Sequence, residues 1–218
     1  LPPYASVKDL QPVAAFCVSP FVYVVSAAAP YKSLDELIAT AKSHPGKLSF
    51  GSSGTGTLTH MVVELLAVVA KVNFTHVPYK GVTGAYTDIL GGPIDFVADS
   101  PASTLGQVKA GKFRAIAVTS PQRSPLLPAV PTVSELGLRD AESDFITGLL
   151  LPAGAPKTVL ARLQAETLKI ARSAEWHEFL ARQGYEPLAY DSGQFAERVA
   201  AELGKWAGVV RERNIKVQ

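Results

Sequence analysis

Three stretches of the chain combine residue types and spacing that fit ligand chemistry. The first is Ser49-Phe50-Gly51-Ser52-Ser53-Gly54-Thr55-Gly56-Thr57-Leu58-Thr59-His60, a strand-like segment running through a Gly/Ser/Thr loop into an apolar helix. Small residues let a ligand approach the backbone closely. A helix start offers free N–H groups and the positive end of the helix dipole, which together favour an anion. Ser52, Ser53, Thr55 and Thr57 add hydroxyl donors. Gly51 and Gly56 have the spacing of a Walker A loop, but Thr57-Leu58 stands where that loop carries Lys-Ser/Thr. The loop is not G-x-G-x-x-G either. An anion without a lysine partner points to carboxylate, and a plain Gly-rich turn is the other reading. His60 could orient the loop by hydrogen bonding or face the ligand.

The second stretch is Val77-Pro78-Tyr79-Lys80-Gly81-Val82-Thr83-Gly84, also between a strand and a helix. Lys80 could pair with an anion or be a solvated surface charge. The third is Asp95-Phe96-Val97-Ala98-Asp99-Ser100-Pro101. Asp99 ends a buried strand, where ligands of open α/β sheets bind. It could accept from a ligand amine or hydroxyl, or form an Asx turn that caps the next helix. Catalytic patterns are weak. Ser52 or Ser53, His60 and Asp99 match no standard triad order, and there is no G-x-S-x-G elbow. His44, His60, His76 and His177 are scattered without metal-ligand spacing, so no metal and no cofactor is expected. Cys17, the single cysteine, sits in the apolar run Ala14–Val18 and reads as a buried small hydrophobe.

The elements that must position these residues follow from patterning. Buried strands are expected at Phe21–Ser26, Leu48–Ser52, Phe74–Val77, Ile94–Ala98, Ala115–Thr119 and Ile146–Leu151. Helices are expected from Ser33 to Ser43, Thr57 to Lys71, Thr83 to Gly91 and Ser103 to Ala110. Ser33-Leu34-Asp35-Glu36 and Thr132-Val133-Ser134-Glu135 are capping-box patterns, the second opening a short helix that ends at Gly137. Strands alternating with helices imply βαβ units and a largely parallel sheet. Beyond residue 152 the character changes. That part holds 10 Lys/Arg and 8 Asp/Glu, 18 of the chain's 40 charges, and reads as two amphipathic helices. One runs from about Pro156 to Gln183, with Leu160, Leu163, Thr167 and Ile170 on a stripe. The other starts near Asp191 and carries Phe195, Val199, Leu203, Trp206 and Val210 at helical spacing.

Composition excludes several classes. Charged residues are 18% and hydrophobic ones 47%, which argues against disorder. The net charge of +2 gives no basic surplus for nucleic acid. No apolar run reaches the ~20 residues of a membrane span. Leu1-Pro2-Pro3-Tyr4 is no signal peptide and lacks an initiator Met, so the chain reads as processed or trimmed.

The order of these motifs resembles the Bug family, also called TctC, periplasmic receptors of tripartite tricarboxylate transporters. The resemblance is carried by Ser52-Ser53-Gly54-Thr55-Gly56 with His60, His76-Val77-Pro78-Tyr79-Lys80-Gly81 and Asp88-Ile89-Leu90-Gly91-Gly92. Lys109-Ala110-Gly111-Lys112, Arg114–Ser120 and Val130-Pro131-Thr132-Val133 extend it over nearly the whole chain. It implies an α/β, periplasmic-binding-protein-like Venus flytrap of two lobes closing on a small carboxylate-type metabolite. Lobe two would be residues 22–118. Residues 1–21 and 119–218, with the C-terminal helices, would belong to lobe one. Hinge strands near Phe21–Ser26 and Ala115–Ser120 would absorb closure. Ligand contacts would come from Ser52, Ser53, Gly54, Thr55, Gly56, Thr57, His60, Asp99 and Ser100.

The chain departs from the family pattern at its start. On the order of 60–90 residues of lobe one are missing relative to that pattern, at ~30 per βαβ unit. A cloned fragment, a proteolysed species or a natural short protein would each begin this way. A natural short form would be covered by a second copy of the chain, since open sheet edges and apolar faces associate. The resemblance also implies membrane components of a transporter as partners. A secreted chain would be periplasmic, and a natural short form without a signal peptide cytoplasmic. The alternative function is an enzyme on a shortened binding-protein scaffold, with His60 and Asp99 as acid–base candidates. A dimerising sensory module is a third reading.

Overall fold

The computed structural model describes residues 8–216 of the 218-residue chain, so Leu1-Pro2-Pro3-Tyr4 lies outside the described residues. The chain forms two compact units. The larger comprises Pro20–Asp144 and the segment from Trp206 onward, and the smaller comprises the residues up to Ser19 with Phe145–Lys205.

The larger unit is built on a five-stranded sheet. Its strands are β2 (Val22–Ser26), β3 (Ser49–Ser52), β4 (Thr75–Pro78), β5 (Phe96–Asp99) and β6 (Phe113–Val118), in the order β4-β3-β5-β2-β6. β3 pairs in parallel with β4 and β5, whereas β2 runs antiparallel to both its neighbours, β5 and β6. The expected parallel sheet is therefore interrupted by one reversed strand. β2 is buried on both faces, which suits its Val22-Tyr23-Val24-Val25 run. Val22 and Val24 pack with Ala85 and Ile89 of helix α3 (Val82–Gly91). The Tyr23 hydroxyl, on the other face, donates to the Val62 carbonyl of helix α2 (Leu58–Ala70). One helix thus lies on each side of the sheet.

Helix α2 is buried almost all round, from Thr59 to Ala67. Its second side is covered by the end of the chain: Met61, Leu65 and Val69 pack against Trp206, Val209, Val210 and Ile215. This contact is why residues 206–216 belong with the larger unit, which also takes in 119–144 besides the expected 22–118 span. Thr119 secures the first of these additions, accepting from the Phe21 N–H at 2.8 Å and donating to the Ser143 carbonyl at 2.5 Å. The chain passes between units at 19/20, 144/145 and 205/206, whereas the expected hinge strands form ladders inside the larger unit.

Local signals behave as their chemistry dictates, with two exceptions. Ser33 caps helix α1 (Leu34–Ser43), accepting from the Glu36 N–H, while Glu36 accepts from Lys32. Helix α4 (Pro101–Lys109) starts two residues earlier than expected, because Ser100 is its cap and Pro101 suits the first helical position. The Thr132 pattern makes its reciprocal bonds with Glu135, at 2.8 and 3.1 Å, yet the segment continues as turns rather than a helix. The Val118 carbonyl accepts from Val133 and the Pro131 carbonyl accepts from Val118, so the backbone there is committed to β6.

The second exception lies in the smaller unit. The expected helix 156–183 is two helices, α5 (Lys157–Ala171) and α6 (Ala174–Gln183), because Ser173 breaks the run and recaps it through the Trp176 N–H. Ile170, at the last turn of α5, is exposed rather than on a core stripe. Helix α7 (Ser192–Glu212) buries Phe195 but exposes Leu203, just before it leaves this unit. The sheet here is β7 (Asp144–Pro152), β1 (Leu10–Pro20) and β8 (Glu186–Tyr190), with β1 central. Neither β1 nor β8 is expected from patterning. Cys17 on β1 is buried, and burial raises its thiol pKa. No helix among the described residues is long and apolar enough to cross a membrane.

Gly51 sets the spacing between β3 and α3. A Cβ there would lie 2.6 Å from the Ala85 Cβ and 2.7 Å from the Ile94 Cδ1. Gly51→Ala is expected to destabilise the protein by about 1–3 kcal/mol through overpacking, read as a lower urea midpoint.

Candidate functional site

The register Phe50↔Phe96 and Gly51↔Val97 brings the carboxyl ends of β3 and β5 side by side. From there the chain leaves in opposite directions, through α2 to β4 on one side and through α4 to β6 on the other. That is a topological switch point, where loops diverge and leave a crevice. The Ser53–Thr57 loop and the Asp99-Ser100 strand end both sit there. The second stretch joins them, since the Tyr79 N–H donates to the Ser52 carbonyl at 3.0 Å.

The loop is held mainly by its own side chains. Thr59 Oγ1 accepts from the Ser53 N–H at 2.9 Å, and Thr57 Oγ1 donates to the Gly54 carbonyl at 2.7 Å. Gly54 and Gly56 have φ of 133° and 79°, in the region that favours glycine. The Gly56 N–H donates to His60 Nδ1 at 3.0 Å. His60 therefore carries its proton on Nε2, 3.5 Å from Glu64 Oε1 one helical turn on. His60 is buried, stacked 3.8 Å from His76 and lying over Phe50. Of its two sequence readings, the loop-orienting one describes this geometry.

Ser52 departs from expectation. It is fully buried, and its hydroxyl meets His76 Nε2 at 2.7 Å and the Gly54 backbone at 3.1 Å. It supports the loop from beneath instead of facing solvent. Ser53, Gly54, Thr55, Gly56 and Thr57 stay at the surface. Among the described residues, the N–H groups of Thr55, Leu58 and Thr59 have no protein partner. Asp99 is buried, accepting from the Tyr86 hydroxyl at 2.6 Å and from the Ser100 N–H at 2.7 Å. Burial pushes its carboxyl pKa up, partly offset by these two bonds. The Ser100 hydroxyl is engaged in capping α4. Lys80 is exposed on the neighbouring loop.

No Ser-His-Asp relay assembles. Ser52 meets His76 and not His60, while Asp99 is bonded to Tyr86 and Ser100. Two residues of the site were missed as such in the sequence. His76 was visible only as part of a motif, and its alternation on a strand facing β3 was the available signal. Arg213 had none. It donates through Nε to Glu64 Oε2 at 2.5 Å and through Nη1 to Asn73 at 2.8 Å. Burial alone would raise the Glu64 carboxyl pKa, but the bonds from His60 and Arg213 outweigh it and hold the group below the usual range.

Residues 2–215 match the family model described as tripartite tricarboxylate transporter family receptor, TctC. The chain belongs to the TctC family. It is 36% identical over 211 residues to the UPF0065 protein in the tcbD–tcbE intergenic region of Pseudomonas sp. strain P51. That match covers 96% of the chain and 63% of the relative, so the chain spans less than two thirds of its length. Among solved structures, R. palustris Rpa4515 with adipate is 29% identical with a TM-score of 0.85, over 97% of the chain and 71% of that protein. The periplasmic binding protein BugD is 27% identical with a TM-score of 0.83, over 99% and 73%. MatC from Rhodopseudomonas palustris with bound malate is 27% identical with a TM-score of 0.82, over 95% and 72%. The α/β periplasmic-binding-protein fold expected for a TctC chain is the fold present.

His76 gives this TctC chain a pH signature. Burial first, then the neighbouring His60, pushes its pKa down to about 4, while Glu64 pulls the other way. An unfolded histidine titrates near ~6.5, so the unfolded chain binds the proton more readily between the two values. The contribution is complete above ~6.5 and lost as pH falls through the folded value. Urea melts between pH 7 and 4 should show stability falling with pH, and His76→Gln should flatten that slope.

Proposed function

We propose that this chain captures small dicarboxylates on the Ser53–Leu58 loop, as the periplasmic receptor for the membrane components of a tripartite transporter. The observation that carries the reading is the set of unpartnered N–H groups of Thr55, Leu58 and Thr59 at the start of a 13-residue buried helix. Such donors, with the helix dipole behind them, hold a carboxylate by charge-assisted hydrogen bonds. The loop has no lysine or arginine, which suits a carboxylate better than a multiply charged phosphate. Exposed Thr55 and half-buried Ser53 and Thr57 line the approach. Ser100 and Asp99 form the adjoining strand end, where Asp99 suits a ligand hydroxyl and not a second carboxylate. Similar proteins solved with adipate and with malate support the substrate class. The enzyme alternative is not favoured, since its candidate groups are buried and bonded elsewhere.

Leu58→Pro tests this directly. Proline is tolerated at the first helical position and removes only the N–H there. The extended Thr57 backbone, with φ −74° and ψ 163°, accepts a following proline. Titration calorimetry with adipate and malate should show binding that Leu58→Pro weakens about tenfold or more, the value of a hydrogen bond to a charged group. Diamides of the same length should bind far more weakly. Binding of neither acid, or binding unaffected by Leu58→Pro, would sink the reading.

A further inference from the structure

We propose that Arg213 and Glu64 are positioning residues of the anion loop, acting through His60 to keep the Gly56 backbone in its binding conformation. The proposal rests on the loop reading above, but its mechanism is separable from it. Four groups form one line: Arg213 Nε to Glu64 Oε2 at 2.5 Å, Glu64 Oε1 to His60 Nε2 at 3.5 Å, and His60 Nδ1 to the Gly56 N–H at 3.0 Å. Glu64 is 6% exposed and His60 4% exposed, so water does little to screen either group.

The state of His60 decides whether the line works. The neutral ring with its proton on Nε2 accepts from Gly56 and donates to Glu64. A protonated ring carries N–H on both nitrogens and cannot accept from Gly56. A buried carboxylate beside an imidazole favours the charged ring, and a guanidinium on the same carboxylate opposes this. Arg213 therefore balances Glu64 so that the ring stays an acceptor. The charged or titratable groups facing His60 are Glu64 on α2, His76 on β4 and, through Glu64, Arg213 beyond α7. His76 stacks on the ring, and two cationic rings in contact would repel. Without Arg213, the compensation at Glu64 passes to His60, and the loop loses its anchor. Glu64 would then present its charge near a site meant for an anion.

The test uses the full chain and two independent readouts. Long-range proton–nitrogen NMR reports which His60 nitrogens are protonated, and amide exchange reports the Gly56 bond without any ligand. Calorimetry with adipate and malate reports binding as a function of pH. In the wild type, the His60 proton should sit on Nε2, opposite Glu64, with Gly56 protected. R213Q should populate the doubly protonated His60 ring more than the wild type does, because Glu64 then has His60 as its only positive partner. Gly56 exchange should be about tenfold faster, as expected for local opening, and affinity should begin to fall at higher pH. R213K should restore the wild-type ring state, because it keeps the charge. E64Q/R213Q should restore it too, because the neutral amide oxygen that replaces the Glu64 carboxylate can still accept from Nε2. A purely structural ion pair predicts no change of ring state in R213Q in the first place, because its loss acts on stability alone. If R213Q fails to fold, E64Q/R213Q carries the decision: loss of the wild-type ring state there overturns the proposal. An unchanged ring and unchanged Gly56 exchange in folded R213Q overturn it as well. If neither acid binds the wild type, the loop reading fails while the ring and exchange data still decide the relay.

Discussion

Helix α2 is covered on both sides, by the sheet through Phe50 and Tyr23 and by the end of the chain through Trp206 and Val209. Burial on two sides excludes water from His60 and Glu64, which sit on the same helix one turn apart. In that setting each polar group must find a protein partner, because an unpaired one costs about 1–3 kcal/mol. Glu64 finds Arg213 and His60, His60 finds Gly56, and Ser52 finds His76. The loop's conformation is the end of that chain of satisfied partners. The N–H groups of Thr55, Leu58 and Thr59 are left without a protein partner; Thr55 and Leu58 are exposed, while Thr59 is buried at the first turn of the helix.

This arrangement explains why a loop of mostly small residues can hold a defined shape. Glycine and serine lose much conformational freedom on ordering. Here the loss is offset by side-chain bonds from Thr57 and Thr59, and by a buried imidazole whose two nitrogens are both engaged.

How much of this was legible in the sequence depended on the range of the interaction. The capping residue Ser33 acts over three positions, and its helix forms where expected, whereas the Ser100 cap was not read and α4 starts two residues early. The Thr132 pattern makes its local bonds too, but its backbone is claimed by β6 and no helix follows. Strand β1 escaped notice because Pro12 and Pro20 disguise a run that becomes the central strand of its sheet. The break at Ser173 escaped because no glycine or proline marks it between Lys157 and Gln183. At the site, the Gly/Ser/Thr loop is the expected strand-to-helix turn, and the sequence carries no sign that Ser52 is buried with its hydroxyl on His76. Both sides of a short loop look alike until the strand beneath it, here β4 with His76, is in place.

By itself the sequence determined the local chemistry and the family: a glycine-permitted loop without lysine or arginine entering a helix, and a motif order shared with TctC receptors. Tertiary structure alone decided which groups meet. Strand order β4-β3-β5-β2-β6 creates the switch point, and the turned-back chain end delivers Arg213 to Glu64 across 149 positions. The physical reason is that hydrogen bonds and charges act over a few ångströms. Neighbours in sequence meet automatically, whereas distant ones meet only after apolar burial has chosen which helix covers which sheet face.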